Sequence, residues 1–151
     1  MKSNQLIILL LSSLLLVSFA SPEFCRRTGI RGQVLLVQGN QMPSPDQPLP
    51  VPQGFQTTLY VYELTNISQV SREGSSAFYN SVATPLIKEI KTGRDGRFKV
   101  KLKPGHYSLF VKKGDLFYSS QFYQHNNIHP IEVKDGKMTV VEFQANYDAV
   151  Y

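Results

Sequence analysis

The amino-acid sequence predicts an all-β fold, an antiparallel seven-stranded β-sandwich that follows an export leader. Three observations predict it. Apolar residues alternate with period two in several short runs, as one face of a pleated strand requires and as no helix would give. Turn pairs rich in Gly, Pro, Asn and Asp separate those runs. Beyond the leader, no stretch carries a convincing amphipathic helical period. A small closed barrel is the competing architecture, because strand count alone does not separate the two. At 151 residues, 42% apolar and 11% aromatic, the chain is long enough for one domain and is folded rather than disordered.

The elements follow in order. Lys2, the apolar run Leu6 to Val17 and Ser18-Phe19-Ala20 form a signal peptide over residues 1–20, cut before Ser21. The run is too short to read as a membrane span, and an uncleaved anchor is the alternative. Residues 21–28 are a flexible mature N-terminus, and residues 29–147 form the domain. Cys25 is the single cysteine, which excludes an intramolecular disulfide framework and a multi-cysteine zinc site. Phe24 before it does not suit a lipidation signal, so Cys25 is a lone thiol, either free or able to cross-link two chains. Gly29 to Val37 is the first strand. Pro43, Pro45, Pro48, Pro50 and Pro52 make residues 41–54 a surface loop, since they remove ladder donors. Phe55 to Leu64 resumes strand character, with Leu59 and Val61 on one face and Tyr60 and Tyr62 on the other. Residues 65–85 read as a loop with a short helical turn near Ser75 to Tyr79. Leu86 to Thr92 is a strand ending at the turn Gly93-Arg94-Asp95-Gly96. Arg97 to Lys103 alternates throughout, with Phe98, Val100 and Leu102 inward and four cations outward. After Pro104-Gly105 comes the strand His106 to Lys112, with Tyr107, Leu109 and Val111 on one face. Gly114-Asp115 turns into Leu116 to Tyr123. Ile131 to Lys134 and Lys137 to Ala145 flank Asp135-Gly136, a hairpin turn pair, with Thr139, Val141 and Phe143 toward the core.

The stretch Thr92 to Val111 resembles the signature of carboxypeptidase regulatory-like domains: a turn with Gly96 before the aromatic Phe98, an alternating strand, then Pro104-Gly105-His106-Tyr107 opening the next strand. Gly29 to Val34 is similar to that family's opening strand, and Ile131 to Phe143 to its closing hairpin. The five-proline loop departs from the family's second connection. The resemblance implies a transthyretin-like (Ig-like, prealbumin-like) seven-stranded β-sandwich, reached discontinuously from about residue 29 to 144. It implies little about function, because this scaffold carries many roles. Gly96 and Gly105 would permit positive φ in tight turns, and Phe98 and Tyr107 would fill the space between sheets.

Relatives on this scaffold that do chemistry supply tests. In isopeptide-forming adhesin repeats a Glu lies four residues after the motif Tyr; here that position is Val111. Hydroxyisourate hydrolases end in Tyr-Arg-Gly-Ser, whereas this chain ends Asn146-Tyr147-Asp148-Ala149-Val150-Tyr151. Intradiol dioxygenases bind iron through two Tyr and two His in His-x-His spacing. His125 and His129, four apart in a polar loop with Pro130, read instead as solvent-exposed loop residues. His106 is a turn residue. No Gly-x-Ser-x-Gly, phosphate loop or clustered carboxylate pair is present. The chain is therefore expected to be no enzyme and to need neither metal nor cofactor.

Two features point to binding. Cleavage removes only Lys2 among the charges, leaving 15 Lys+Arg against 11 Asp+Glu, a net +4. Residues 88–113 concentrate nine cations against Glu89 and Asp95, so they carry +7 and the rest of the mature chain −3. Arg97, Lys99, Lys101 and Lys103 on one strand face would form a row about 20 Å long at ~6.6 Å spacing. Such a row suits an anionic glycan, lipid headgroup or acidic partner, or else it guards a sheet against edge-to-edge association. Outward tyrosines, Tyr60 and Tyr62 first among them, would add a platform for sugar or protein. With no Trp and no stacking motif, nucleic acid is not an expected partner. Asn66-Ile67-Ser68 is a glycosylation sequon if the host modifies it. The expectation is a secreted, periplasmic or cell-surface module, non-catalytic, without a transmembrane segment in the mature chain. Its role would be binding, adhesion or structural support, with an extracellular or envelope protein or glycan as partner. The alternative role is a carbohydrate or anionic-polymer binding module.

Overall fold

The computed structural model describes residues 27–45, 48–72 and 74–151, so the expected signal peptide and Cys25 lie outside the described residues. The chain forms β1 (Gly29–Asn40), β2 (Gln53–Gly54), β3 (Thr58–Glu63), β4 (Val70–Ser71), β5 (Phe78–Tyr79), β6 (Ser81–Val82), β7 (Leu86–Lys91), β8 (Arg97–Lys101), β9 (Gly105–Lys113), β10 (Leu116–Tyr118), β11 (Phe122–Tyr123), β12 (Asn127–Ile128), β13 (Pro130–Val133) and β14 (Met138–Val150). Helical structure among the described residues is limited to single 3-10 turns at Ile67–Gln69 and Gln124–Asn126. No helix there is long and apolar enough to cross a membrane.

Two sheets carry the fold. In the four-stranded sheet β1 is central, with β14 on one side and β8 and β2 following one another along the other. In the six-stranded sheet β9 is central, flanked by β3 on one side and by β10 and β13 in succession on the other; β7 and β5 are the outer strands. Every pairing in the six-stranded sheet is antiparallel. The four-stranded sheet departs from the expected antiparallel order at one place. There β1 and β14 run parallel, from Gly29 opposite Met138 to Asn40 opposite Val150. A parallel pair needs a long crossover, and here the intervening chain supplies it.

Side chains from both sheets meet in one buried cluster. Ile30 and Val34 from β1, Phe98 from β8, and Val141, Phe143 and Ala145 from β14 face Leu59 and Val61 from β3, Tyr107, Leu109 and Val111 from β9, and Ile131 and Val133 from β13. Of the inward sets expected for these strands, Leu59, Val61, Phe98, Leu102, Tyr107, Leu109, Val111, Val141 and Phe143 are buried and Val100 and Thr139 partly so, while Tyr62, Ser108 and Phe110 on the other faces are buried as well. Tyr107 fills this layer and also donates its hydroxyl to the Lys103 carbonyl at 2.9 Å, bracing the turn before β9. Thr28 is buried too: its hydroxyl donates to Asp135 at 3.2 Å and accepts from the Gly136 N–H at 2.8 Å.

Glycine is needed where chains come close, as at Gly96 and Gly32. Gly96 has φ +76, and a Cβ there would lie 2.1 Å from the Val34 carbonyl oxygen, with which the turn is in register. At Gly32 a Cβ would lie 1.6 Å from the Val141 carbonyl oxygen, so only glycine lets β1 and β14 approach this closely.

Five expectations are corrected. Leu116 to Tyr123 is not one strand, since β10 ends at Tyr118 and β11 pairs with β12 in a separate ribbon. Gln53–Gly54, inside the expected 41–54 loop, is β2 and pairs with Leu36 and Leu35. Ser75 to Tyr79 holds no helical turn; β5 lies there, because Phe78 and Tyr79 pair with Tyr118 and Phe117. Strand structure after Arg97 stops at Lys101 rather than Lys103, since the chain bends at Pro104. The segment 65–85 is more than a loop. Its short ribbon β4–β6, together with Ile128, roofs the outer side of the six-stranded sheet over a second buried cluster of Tyr62, Tyr79, Phe110 and Ile128.

Candidate functional site: the open face of the four-stranded sheet

Alternation along β8 sends Phe98 into the core and Arg97, Lys99 and Lys101 to solvent. The register across the sheet decides what stands beside them. Lys99 is opposite Arg31, and Arg97 is opposite Gln33. On the far side of β1, Val140 is opposite Arg31 and Glu142 opposite Gln33. Those six side chains line a shallow depression of about 480 Å³. Arg97 Nε lies 3.5 Å from an Asp95 carboxylate oxygen, and Gln33 Nε2 donates to the Asp95 carbonyl at 2.6 Å. Glu142 accepts a hydrogen bond from Gln144 Nε2 at 2.8 Å. Val140 is 69% exposed, an apolar residue left bare beside the cations.

The expected row of four cations divides. Arg97 and Lys99 line this depression, whereas Lys101 and Lys103 line a separate groove of about 710 Å³ with Glu63, Ile87, Lys88 and His106. β8 ends at Lys101 and the chain bends at Pro104, so Lys103 lies beyond the strand and Lys101, at its last position, borders the second groove. Arg31, absent from the sequence-based set, joins the first pair. Its place beside Lys99 depends on the pairing of β1 with β8, which alternation within either strand does not encode.

The two tyrosines lie elsewhere, on the outer side of the six-stranded sheet. Tyr62 is 7% exposed and packs edge-on against Phe110 with ring centroids 5.5 Å apart, so its ring face is closed to a ligand. Tyr60 is half-buried, with Lys112 Nζ 5.1 Å from its ring centroid and Phe117 edge-on at 5.5 Å. Neither joins the basic residues of the other sheet. Aromatic rings that do reach solvent include Phe122 and Tyr123 on β11 and Tyr151 after β14.

The histidines also separate. His125 is exposed at φ +64, and His106 is exposed on β9 opposite Glu132. His129, expected in solvent, is 4% exposed and stacked on Phe143 with centroids 4.8 Å apart. Positive φ at His125, Asn126 and His129 folds this segment back onto the sheet, and the His129 N–H donates to the Gln121 carbonyl at 2.9 Å. Burial pulls the His129 pKa down to about 4, so the ring is neutral at pH 7. On the roofed side, burial pushes the Tyr79 hydroxyl up to about 12, despite the opposing pull of Arg72. No group of three or more metal-ligating side chains is assembled among the described residues.

Asn66 of the sequon is a helix cap. Its Oδ1 accepts from the Ser68 N–H at 3.1 Å, and its Nδ2 donates to the His125 carbonyl at 2.6 Å and to Asn127 Oδ1 at 3.4 Å. A glycan on Nδ2 would displace one of those donations.

Two guanidiniums and an ammonium on one face are donors of the kind that can hold anions by charge-assisted, partly bidentate hydrogen bonds. Comparison with protein-family models, curated proteins and solved structures finds no match to this chain.

Proposed function

We propose that the chain is an exported, non-catalytic module of the transthyretin-like, carboxypeptidase regulatory-like β-sandwich type, and that it binds an anionic extracellular or envelope partner through the open face of its four-stranded sheet. The sandwich reading is supported by the buried cluster shared between the sheets. It is supported also by the layout of the two sheets, with three strand positions in one (β14, β1 and the β8/β2 edge) and five in the other (β5, β10/β13, β9, β3 and β7). Export and the lack of catalysis are supported by residues 1–20 and by the missing nucleophile and isopeptide motifs.

One observation carries the binding reading: the two outer faces are treated differently. The six-stranded sheet hides its outer aromatics under residues 65–85 and Ile128, whereas the four-stranded sheet leaves Arg31, Arg97 and Lys99 exposed around a depression. A glycan array probed with wild-type protein and with the variant Arg97→Ala, Lys99→Ala, Lys101→Ala, Lys103→Ala tests this. Retention of anionic glycans that weakens with salt and disappears in the variant is the expected result. Binding that survives the four substitutions, or no binding to anionic polymers, would overturn the anionic-ligand reading and return the module to adhesion or structural support through other surfaces.

A further inference from the structure

Resting on that reading, we propose that Arg31, Lys99 and Arg97 form a seat for a single tetrahedral oxyanion group with three terminal oxygens: a sulfate or phosphate monoester carried by the bound polymer. Register supplies the argument. Arg31 and Lys99 are directly opposite in an antiparallel pair, which brings their Cβ atoms to about 5 Å on the same face. Like charges so placed repel, and a sheet selected for stability alone would put an acid or a Thr at one of them. No nearby carboxylate closes on either cation. Among the described residues neither Arg31 nor Lys99 makes an ion pair, Glu142 is engaged by Gln144, and Asp95 sits at the turn with Arg97. Arg97, one ladder step along the same face, adds the third cation.

Geometry selects the anion. A carboxylate has two oxygens in one plane and is matched by one guanidinium fork. Here three donors rise from two strands around a depression, and each can take its own oxygen from a tetrahedral group. Gln33 at the rim offers its surroundings a neutral polar neighbour, and bare Val140 gives the ligand's backbone an apolar contact.

Dextran sulfate, phosphorylated dextran and carboxymethyl dextran of matched charge density test the inference, with affinities measured at low and moderate salt. The sulfated or the phosphorylated polymer, and which of the two it is identifies the ester, should bind about tenfold more tightly than the carboxylated one. Arg31→Gln and Lys99→Gln should each erase that preference, while Lys103→Gln should keep it. The same two variants, without ligand and at low salt, should melt about 1–4 °C higher than wild type, with the gain vanishing at high salt, because each removes the facing charge. Equal affinity for all three polymers, or Arg31→Gln binding like wild type while the quadruple variant does not bind, overturns the seat and leaves the broader reading standing. If wild type binds none of the three polymers, both fall.

Discussion

His129 shows how one side chain can set the acid limit of the fold. Its ring stacks on Phe143 beneath a groove that Glu132, Glu142, Tyr123 and Lys134 also line, and burial holds it neutral with a pKa of about 4 against 6.5 in the unfolded chain. Because the folded pKa is depressed for a base, the unfolded state binds more protons between those values. Its contribution is therefore complete above pH 6.5 and is lost as pH falls toward 4. The shift corresponds to a loss of up to about 3 kcal/mol. Urea midpoints measured across this window should drop on the acid side. His129→Asn, which tolerates the positive φ at this position, should be less stable at pH 7 but nearly free of that slope. An unchanged pH profile in the variant would assign the acid sensitivity to other groups.

At the scale of strands, the closest approach in the fold is the one most exposed to substitution. Gly32→Ala would drive a Cβ into the Val141 carbonyl, a backbone atom that cannot swing aside. A loss of about 3 kcal/mol or more is expected, with amide exchange accelerated along Val141–Ala145 before the six-stranded sheet responds. The pairing behind this constraint is also what the sequence least revealed. Period two identified β8 and its inward Phe98, the inward Leu59 and Val61 of β3, and the buried Val141 and Phe143, because each strand's own pattern reports which face is dry. Pairing partner and direction are set by contacts far apart in sequence, so the parallel β1–β14 ladder and the Arg31–Lys99 pair remained hidden. The same limit explains Tyr62 and the 65–85 segment. Alternation placed Tyr60 and Tyr62 on the correct face of β3, but an aromatic face awaiting a roof reads like one awaiting a ligand. The roof's two-residue strands are too short to show a period. His129 was misplaced for a related reason: its polar neighbours signal a loop, while the positive φ values that bury it carry no sequence mark on a non-glycine residue.

Across the whole molecule, aromatic rings crowd one outer face, while Arg31, Arg97 and Lys99 stand on the other. Phe110 centres the roofed side, edge-on to Tyr62 and Tyr79 at 5.5 and 5.8 Å. Phe110→Ala should cost about 3–5 kcal/mol, and limited proteolysis should then cut first within residues 65–85 while β14 and β1 stay protected. Cleavage beginning in β14 instead would mean that the two faces are not independent. The parallel ladder has a mechanical meaning as well. The chain enters β1 at Gly29, beside the start of β14, and leaves β14 at Val150, beside the end of β1. Tension applied to the two termini therefore pulls these neighbours lengthwise past each other, so their hydrogen bonds share the load instead of parting one by one like a zip. A domain tethered at both ends in a moving fluid would resist being drawn out, through the very pair of strands that closes its smaller sheet.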